Sequence, residues 1–234
     1  MKHTTLFIVL LFLYVGIRVN AQAVKDCSVT SFNEVIFEGS ARWVLIPSSE
    51  EKVVIESKSE DVFDYIDIKQ NAGELTINTT DKQKNITQLF KSVTIKVYFK
   101  SLQSVSLSGT GSVITDNTIE ANKLTLKLSG SGNMDLDVKC SQFEGHMYGT
   151  GELEVSGDAD KAVVKVDGVG GFDGYELITK NMDVTVSGVG GAKVNATKTL
   201  TATLNGVGSI RYKGDPETKN FDTNGVGAIK KAKD

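Results

Sequence analysis

Gly168-Val169-Gly170-Gly171-Phe172-Asp173, Gly188-Val189-Gly190-Gly191-Ala192-Lys193 and Gly206-Val207-Gly208-Ser209-Ile210-Arg211 are three successive appearances of one short phrase, 20 and 18 residues apart. The phrase continues in both directions. Earlier versions are Gly109-Thr110-Gly111, Gly130-Ser131-Gly132 and Gly149-Thr150-Gly151, and a later one is Gly225-Val226-Gly227. The steps between first glycines are 21, 19, 19, 20, 18 and 19 residues, and the seven doublets hold 14 of the 23 glycines. A single Gly-x-Gly has no meaning by itself. Seven at a near-constant period predict stacked structural repeats.

The residues before each doublet alternate. Leu124, Leu126 and Leu128 precede one, Ala162, Val164 and Val166 another, and Leu200, Ala202 and Leu204 a third, with Lys127, Lys165 and Thr203 between them. A two-residue period with one apolar face is the mark of a half-buried strand. Four positions after the first glycine stand Val113, Met134, Leu153, Phe172, Ala192, Ile210 and Ile229, all apolar. The reading is an all-β chain, a β-solenoid of the single-stranded parallel β-helix type with about 19 residues per coil. Each coil stacks at ~4.8 Å on the one before it. Paired glycines suit a corner that needs either positive φ or close backbone approach.

Residues 31–108 are less regular and residues 109–234 carry the doublets. Val35, Phe37, Gly39 and Trp43 keep the repeat's phase and predict a degenerate first coil. Lys52 to Glu56, Tyr65 to Ile68, Glu74 to Asn78 and Val93 to Phe99 are further strand candidates, and Asp81 to Phe90 reads as a loop. Lysines 230, 231 and 233 would blunt an open sheet edge. Residues 1–21 read as a secretory signal: a short basic start at Lys2 and His3, an apolar run from Leu6 to Val15, and a small-residue cleavage site at Ala21. Residues 22–30 read as a linker. Removing Lys2 and Arg18 from 26 basic against 29 acidic residues takes the formal charge from -3 to about -5. No nucleic-acid footprint exists, and no second apolar stretch is long enough to span a bilayer. Two histidines, one of them at position 3, leave almost no material for a catalytic triad or a His-based zinc site. No catalytic residues and no cofactor are expected. An exported chain is free to form disulfides, but on this reading Cys27 and Cys140 lie several coils apart, which disfavours a bond.

Two files of aligned side chains are candidates for a surface site. Five positions after each first glycine come Ile114, Asp135, Glu154, Asp173, Lys193, Arg211 and Lys230, facing outward by parity. Asp135, Glu154 and Asp173, about 5 Å apart in successive coils, would repel one another unless solvated, bound to a cation such as Ca²⁺, or shifted in pKa. Lys193, Arg211 and Lys230 make the file bipolar and fit it to charged glycans or a second molecule. The middle residues of the doublets give Val169, Val189, Val207 and Val226. Either corner packing buries these valines, or they form an exposed apolar ridge that favours a partner or self-association.

The Phe32-x-x-Val35-x-Phe37-x-Gly39 start, the Ser129-Gly130-Ser131-Gly132 type of repeat, and the Ile210-Arg211-Tyr212-Lys213-Gly214-Asp215-Pro216 stretch resemble the putative auto-transporter adhesin, head GIN domain family. The resemblance runs from about Ser31 to Asp234. It implies a bacterial exported protein of the Bacteroidetes type with a pectin-lyase-like β-helix, found in the periplasm or at the cell surface. The function it suggests is adhesion; the long regular faces themselves would suit an extended ligand such as a polysaccharide, or a cell-envelope protein. No translocating β-barrel region and no C-terminal anchor are evident in this sequence. The residues themselves leave two other classes open. One is a carbohydrate-active enzyme of pectin-lyase type, for which the acidic file is the only candidate. The other is a structural envelope protein without a discrete ligand.

Overall fold

The computed structural model describes residues 22–79 and 92–233. Its seventeen strands, counted among these residues, form a single continuous sheet wound into a β-solenoid of about 7 turns with about 19 residues per coil. The first half holds β1 (Ala23–Ser28), β2 (Glu34–Gly39), β3 (Arg42–Pro47), β4 (Lys52–Ser57), β5 (Ile66–Asn71), β6 (Glu74–Thr79), β7 (Thr94–Phe99), β8 (Ser104–Gly109) and β9 (Ser112–Thr115). Longer strands follow, each lying between the first glycines of two successive doublets: β10 (Ile119–Leu128), β11 (Asn133–Met147), β12 (Glu152–Val166), β13 (Val169–Val186) and β14 (Val189–Leu204). The last are β15 (Val207–Lys213), β16 (Thr218–Thr223) and β17 (Val226–Lys231).

From β8 onward all pairings are parallel, and the predicted files are the observed register. Met134 lies beside Leu153, Leu153 beside Phe172, Phe172 beside Ala192, Ala192 beside Ile210 and Ile210 beside Ile229. All but Ile229 are buried. Large and small residues also compensate within a coil. Phe143 and Phe172, with ring centroids 6.3 Å apart, lie over the glycines two positions on, Gly145 and Gly174. A side chain at either glycine would crowd the ring, and close packing leaves no slack for it.

The doublets are glycine for reasons of space. A β-carbon on the first glycine of a doublet would overlap the carbonyl oxygen of the first glycine one coil below; Gly130 meets Gly109, Gly149 meets Gly130, and Gly168 meets Gly149. That carbonyl is held there because it accepts the N–H of the doublet's middle residue, at 2.8–3.0 Å from Ser131 to Val226. None of the first glycines from Gly109 to Gly225 has positive φ, so close approach is the operative cause.

The amino-terminal part departs from the expected order. β2 and β3 carry the repeat's phase, with Gly39 in register with Gly109 and Trp43 with Val113. Yet they are not the outermost coil. β6 lies parallel to β2 on its far side, and β7 to β3. The chain makes its first coil, builds a layer beneath it, then crosses back to continue above. The lower layer is closed by antiparallel strands: β5 pairs with β6, β4 with β7, and β1 with β4. Residues 22–30, read as a linker, therefore contain a strand; Cys27 packs against the core from it, opposite Val53. Tyr65 closes a 3₁₀ turn (Glu60–Tyr65) rather than opening a strand, with the Ser59 side chain accepting from the Asp61 N–H at its start. The other strand candidates match β4, β6 and β7 to within a residue. The expected signal at 1–21 and the loop at 81–90 lie outside the described residues. Cys27 and Cys140 are both free thiols.

Candidate functional site

Within each coil, one strand segment leads to the doublet corner and the next leads away from it. Outward side chains from corner to mid-strand sit at three positions: the middle residue of the doublet, then two and four residues on. They give three parallel files along the solenoid axis.

The corner file is exposed. Val169, Val189, Val207 and Val226 leave 55%, 54%, 51% and 72% of their surface in solvent. The corner turns them outward because both flanking glycines face the layer below, so corner packing does not bury them. Consecutive valines are in direct register, and the file continues backward through Thr150 and Ser131, whose hydroxyls hydrogen-bond at 2.8 Å. Beside it stands Tyr148, 56% exposed and stacked on His146 with ring centroids 6.2 Å apart. Tyr148, Thr150, Val169 and Val189 border a shallow groove of about 470 Å³ whose floor is glycine backbone. The His146 ring lies partly under Tyr148, and burial holds its pKa below the usual histidine value.

The middle file runs Asn133, Glu152, Gly171, Gly191, Ser209 and Ala228 and is nearly bare from Gly171 onward. The third file is the bipolar one. Asp135 pairs in register with Glu154, Glu154 with Asp173, Asp173 with Lys193, Lys193 with Arg211 and Arg211 with Lys230. At the change of sign, Lys193 Nζ donates to Asp173 Oδ2 at 2.6 Å, and this bond raises the lysine pKa. Away from that point the charges are unneutralised: among the described residues Asp135, Glu154, Arg211 and Lys230 make no ion pair. Partial desolvation, followed by the charges of Asp135 and Asp173, pushes the Glu154 carboxyl up. The three acids do not converge. Among the described residues no three His, Cys, Asp or Glu side chains are placed to hold one metal ion.

A second groove, of about 710 Å³, lies at the opposite bend of the coils. Ala121, Cys140, Ala159 and Thr179 are in register along its floor, with Lys139, Asp158, Asp160, Lys180 and the half-exposed Ile178 among its walls. Burial, followed by the nearby Asp160 charge, pushes the Cys140 thiol to about 11. Tyr148 and Ile178 were not singled out from sequence. Tyr148 had a readable signal, since its file otherwise holds Ser129, Asp167, Ser187 and Asn205.

A wound sheet with repeated outward files and an exposed ridge at one corner defines a repeat-built β-solenoid. The chain belongs to the putative auto-transporter adhesin, head GIN domain family, whose model matches residues 31–216. No curated protein matches it. Among solved structures, a putative adhesin from Bacteroides fragilis is 25% identical and superposes with a TM-score of 0.85 over 91% of this chain and 97% of its own. A putative lipid binding protein from Parabacteroides distasonis is 24% identical with a TM-score of 0.71, and a putative adhesin from the same species is 22% identical with 0.69. Both cover the same shares of the two chains, 91% and 97%, and show the fold alone. No helix of the described residues is long and apolar enough to cross a membrane.

Proposed function

We propose that this is an exported, non-enzymatic binding protein, an adhesin that works at the periplasm or cell surface and presents its corner ridge to a polysaccharide or a cell-envelope protein. The observation that carries the reading is the exposed valine file. Soluble proteins scatter surface apolar residues singly, and a contiguous exposed file marks a contact site. Its spacing, one side chain every ~4.8 Å, suits an extended partner lying along the axis. Tyr148 at one end supplies a flat, amphipathic ring. The family assignment supports adhesion.

The test is purified protein against a panel of envelope polysaccharides and outer-membrane extracts, with wild type beside a Val189→Ser/Val207→Ser double variant. Retention of a partner without product release, weakened at least tenfold in the double variant, is the expected result. Product release that disappears in Asp135→Ala or Glu154→Ala would overturn the reading in favour of an enzyme. Cell fractionation with protease shaving checks the compartment.

A further inference from the structure

We infer that a second copy of this chain docks on the charged face, antiparallel, forming an isologous dimer. This goes beyond the proposed adhesion, which uses the corner ridge, and concerns the neighbouring charged face. The order of the file is the basis: Asp135, Glu154, Asp173, then Lys193, Arg211, Lys230, one per coil. A two-fold axis lying in the interface, perpendicular to the solenoid axis and passing between the Asp173 and Lys193 coils, turns this order onto its own complement. Asp135 then faces a second copy's Lys230, Glu154 faces its Arg211, and Asp173 faces its Lys193. A two-fold contact of this kind must be self-complementary, residue i meeting j and j meeting i. The parallel alternative sets acid on acid and base on base.

Two further observations fit. The outer members of the file, Asp135, Glu154, Arg211 and Lys230, have no ion-pair partner among the described residues, whereas the central Asp173 and Lys193 already bond to each other. The charges left over are those a second copy would meet. The strip beside the file runs Asn133, Glu152, Gly171, Gly191, Ser209 and Ala228, so at its centre, around the two-fold, no bulky side chain of this strip holds two such faces apart. In the antiparallel arrangement Gly171 meets Gly191 and Glu152 meets Ser209. Six coils by four residue steps give a face of roughly 29 by 13 Å, or about 400 Å² per copy. That is below a standard stable interface. The dimer is therefore weak, with charge setting its orientation more than its affinity.

Sedimentation equilibrium of the full mature chain at up to ~200 µM should show a monomer–dimer equilibrium at low ionic strength. Association should weaken at least tenfold in 0.5 M salt, as screening predicts. Glu154→Arg and Arg211→Glu should each weaken association by about tenfold or more. Neither threatens the fold, because each places a charge between opposite charges of its own chain. An equimolar mixture of the two variants should restore association, since each altered residue then meets its complement. A monomer at every concentration, or a dimer unmoved by either variant, or no rescue on mixing, overturns the inference. The two readings also fail separately. A monomeric chain that still retains a polysaccharide sinks the dimer and leaves adhesion. A dimer with no partner in the panel upholds this inference and sinks adhesion.

Discussion

Replacing Gly168 by alanine tests the central physical feature of the solenoid, the closeness of one corner to the next. The new β-carbon would overlap the Gly149 carbonyl oxygen and approach the carbonyl carbons of Tyr148 and Gly149 at 2.9 and 3.0 Å. These are backbone atoms of a stacked coil and have no rotamer to yield. Restoring ordinary contact requires the corner to open by about 1 Å. That carries the Val169 N–H beyond reach of the Gly149 oxygen, now 2.9 Å away, and strains the bond above it, from Val189 N–H to Gly168 O at 3.0 Å. Each bond contributes about 1 kcal/mol, and a part-buried group left unmade costs more, so the expected loss is about 3–4 kcal/mol. For a chain of this size that lowers Tm by roughly 10 °C. The control lies three residues away. A β-carbon on Gly171 would meet nothing closer than the Gly191 oxygen at 3.8 Å, and alanine suits a strand better than glycine by about 0.5 kcal/mol. Thermal unfolding followed by far-UV circular dichroism should show Gly168→Ala falling steeply while Gly171→Ala holds or rises slightly. A Gly168→Ala variant within 2 °C of wild type, or a Gly171→Ala variant equally damaged, refutes the close-approach argument.

Phe172→Ala should cost about 3–5 kcal/mol in urea unfolding, because its neighbours Ala192 and Gly174 are too small to fill the void. The hydrogen bond and charge of Lys123 hold the Glu144 carboxyl below its ordinary range. The stability this pair contributes is present above the ordinary carboxylate value and lost as pH falls through the lowered one. Because both partners are part-exposed and screened by solvent, the effect is a few tenths of a kcal/mol, visible as a smaller acid-induced drop in Tm for Glu144→Gln. Glu154 has the opposite sign: its carboxyl is raised, so protonation relieves the acidic file, and Glu154→Gln should gain slightly at pH 7 and nothing at pH 3. Cys140, with its thiol near 11, should react with a maleimide at pH 8 on the order of a hundredfold slower than a free thiol in a Cys27→Ser background; equal rates would contradict its burial.

The repeat region was legible because its information is local and periodic. Gly-x-Gly marks the corner, Leu124 to Leu128 mark the inner face, and a fixed offset then assigns Met134, Leu153 and Phe172 to one file without reference to anything distant. The charge file follows from the same offset by parity. The amino-terminal half was not legible in this way. That β6 and β7 lie beneath β2 and β3 is decided by pairings between residues about 40 and 50 apart, and neither alternation nor turn residues encode which layer a strand joins. β1 escaped notice because Lys25 and Asp26 interrupt its apolar residues, as they do in a strand at a sheet's margin. The exposure of Val169, Val189, Val207 and Val226 was undecidable from sequence, since a corner residue's direction depends on how the backbone turns there.

The way β2 and β3 are held between β6 and β7 on one side and β8 and β9 on the other makes the two ends of the molecule unequal in how they depend on their neighbours. A coil such as the one from Gly188 to Asn205 needs only its predecessor as a template, so whole windings could be added or deleted toward the carboxy-terminal side with a roughly constant change in stability per winding. At the opposite end no winding is removable by itself, because its neighbours are drawn from segments well separated along the chain, and loop closure must precede any return from contact. The amino-terminal layers therefore stand or fall together, whereas the carboxy-terminal windings can be lost one at a time.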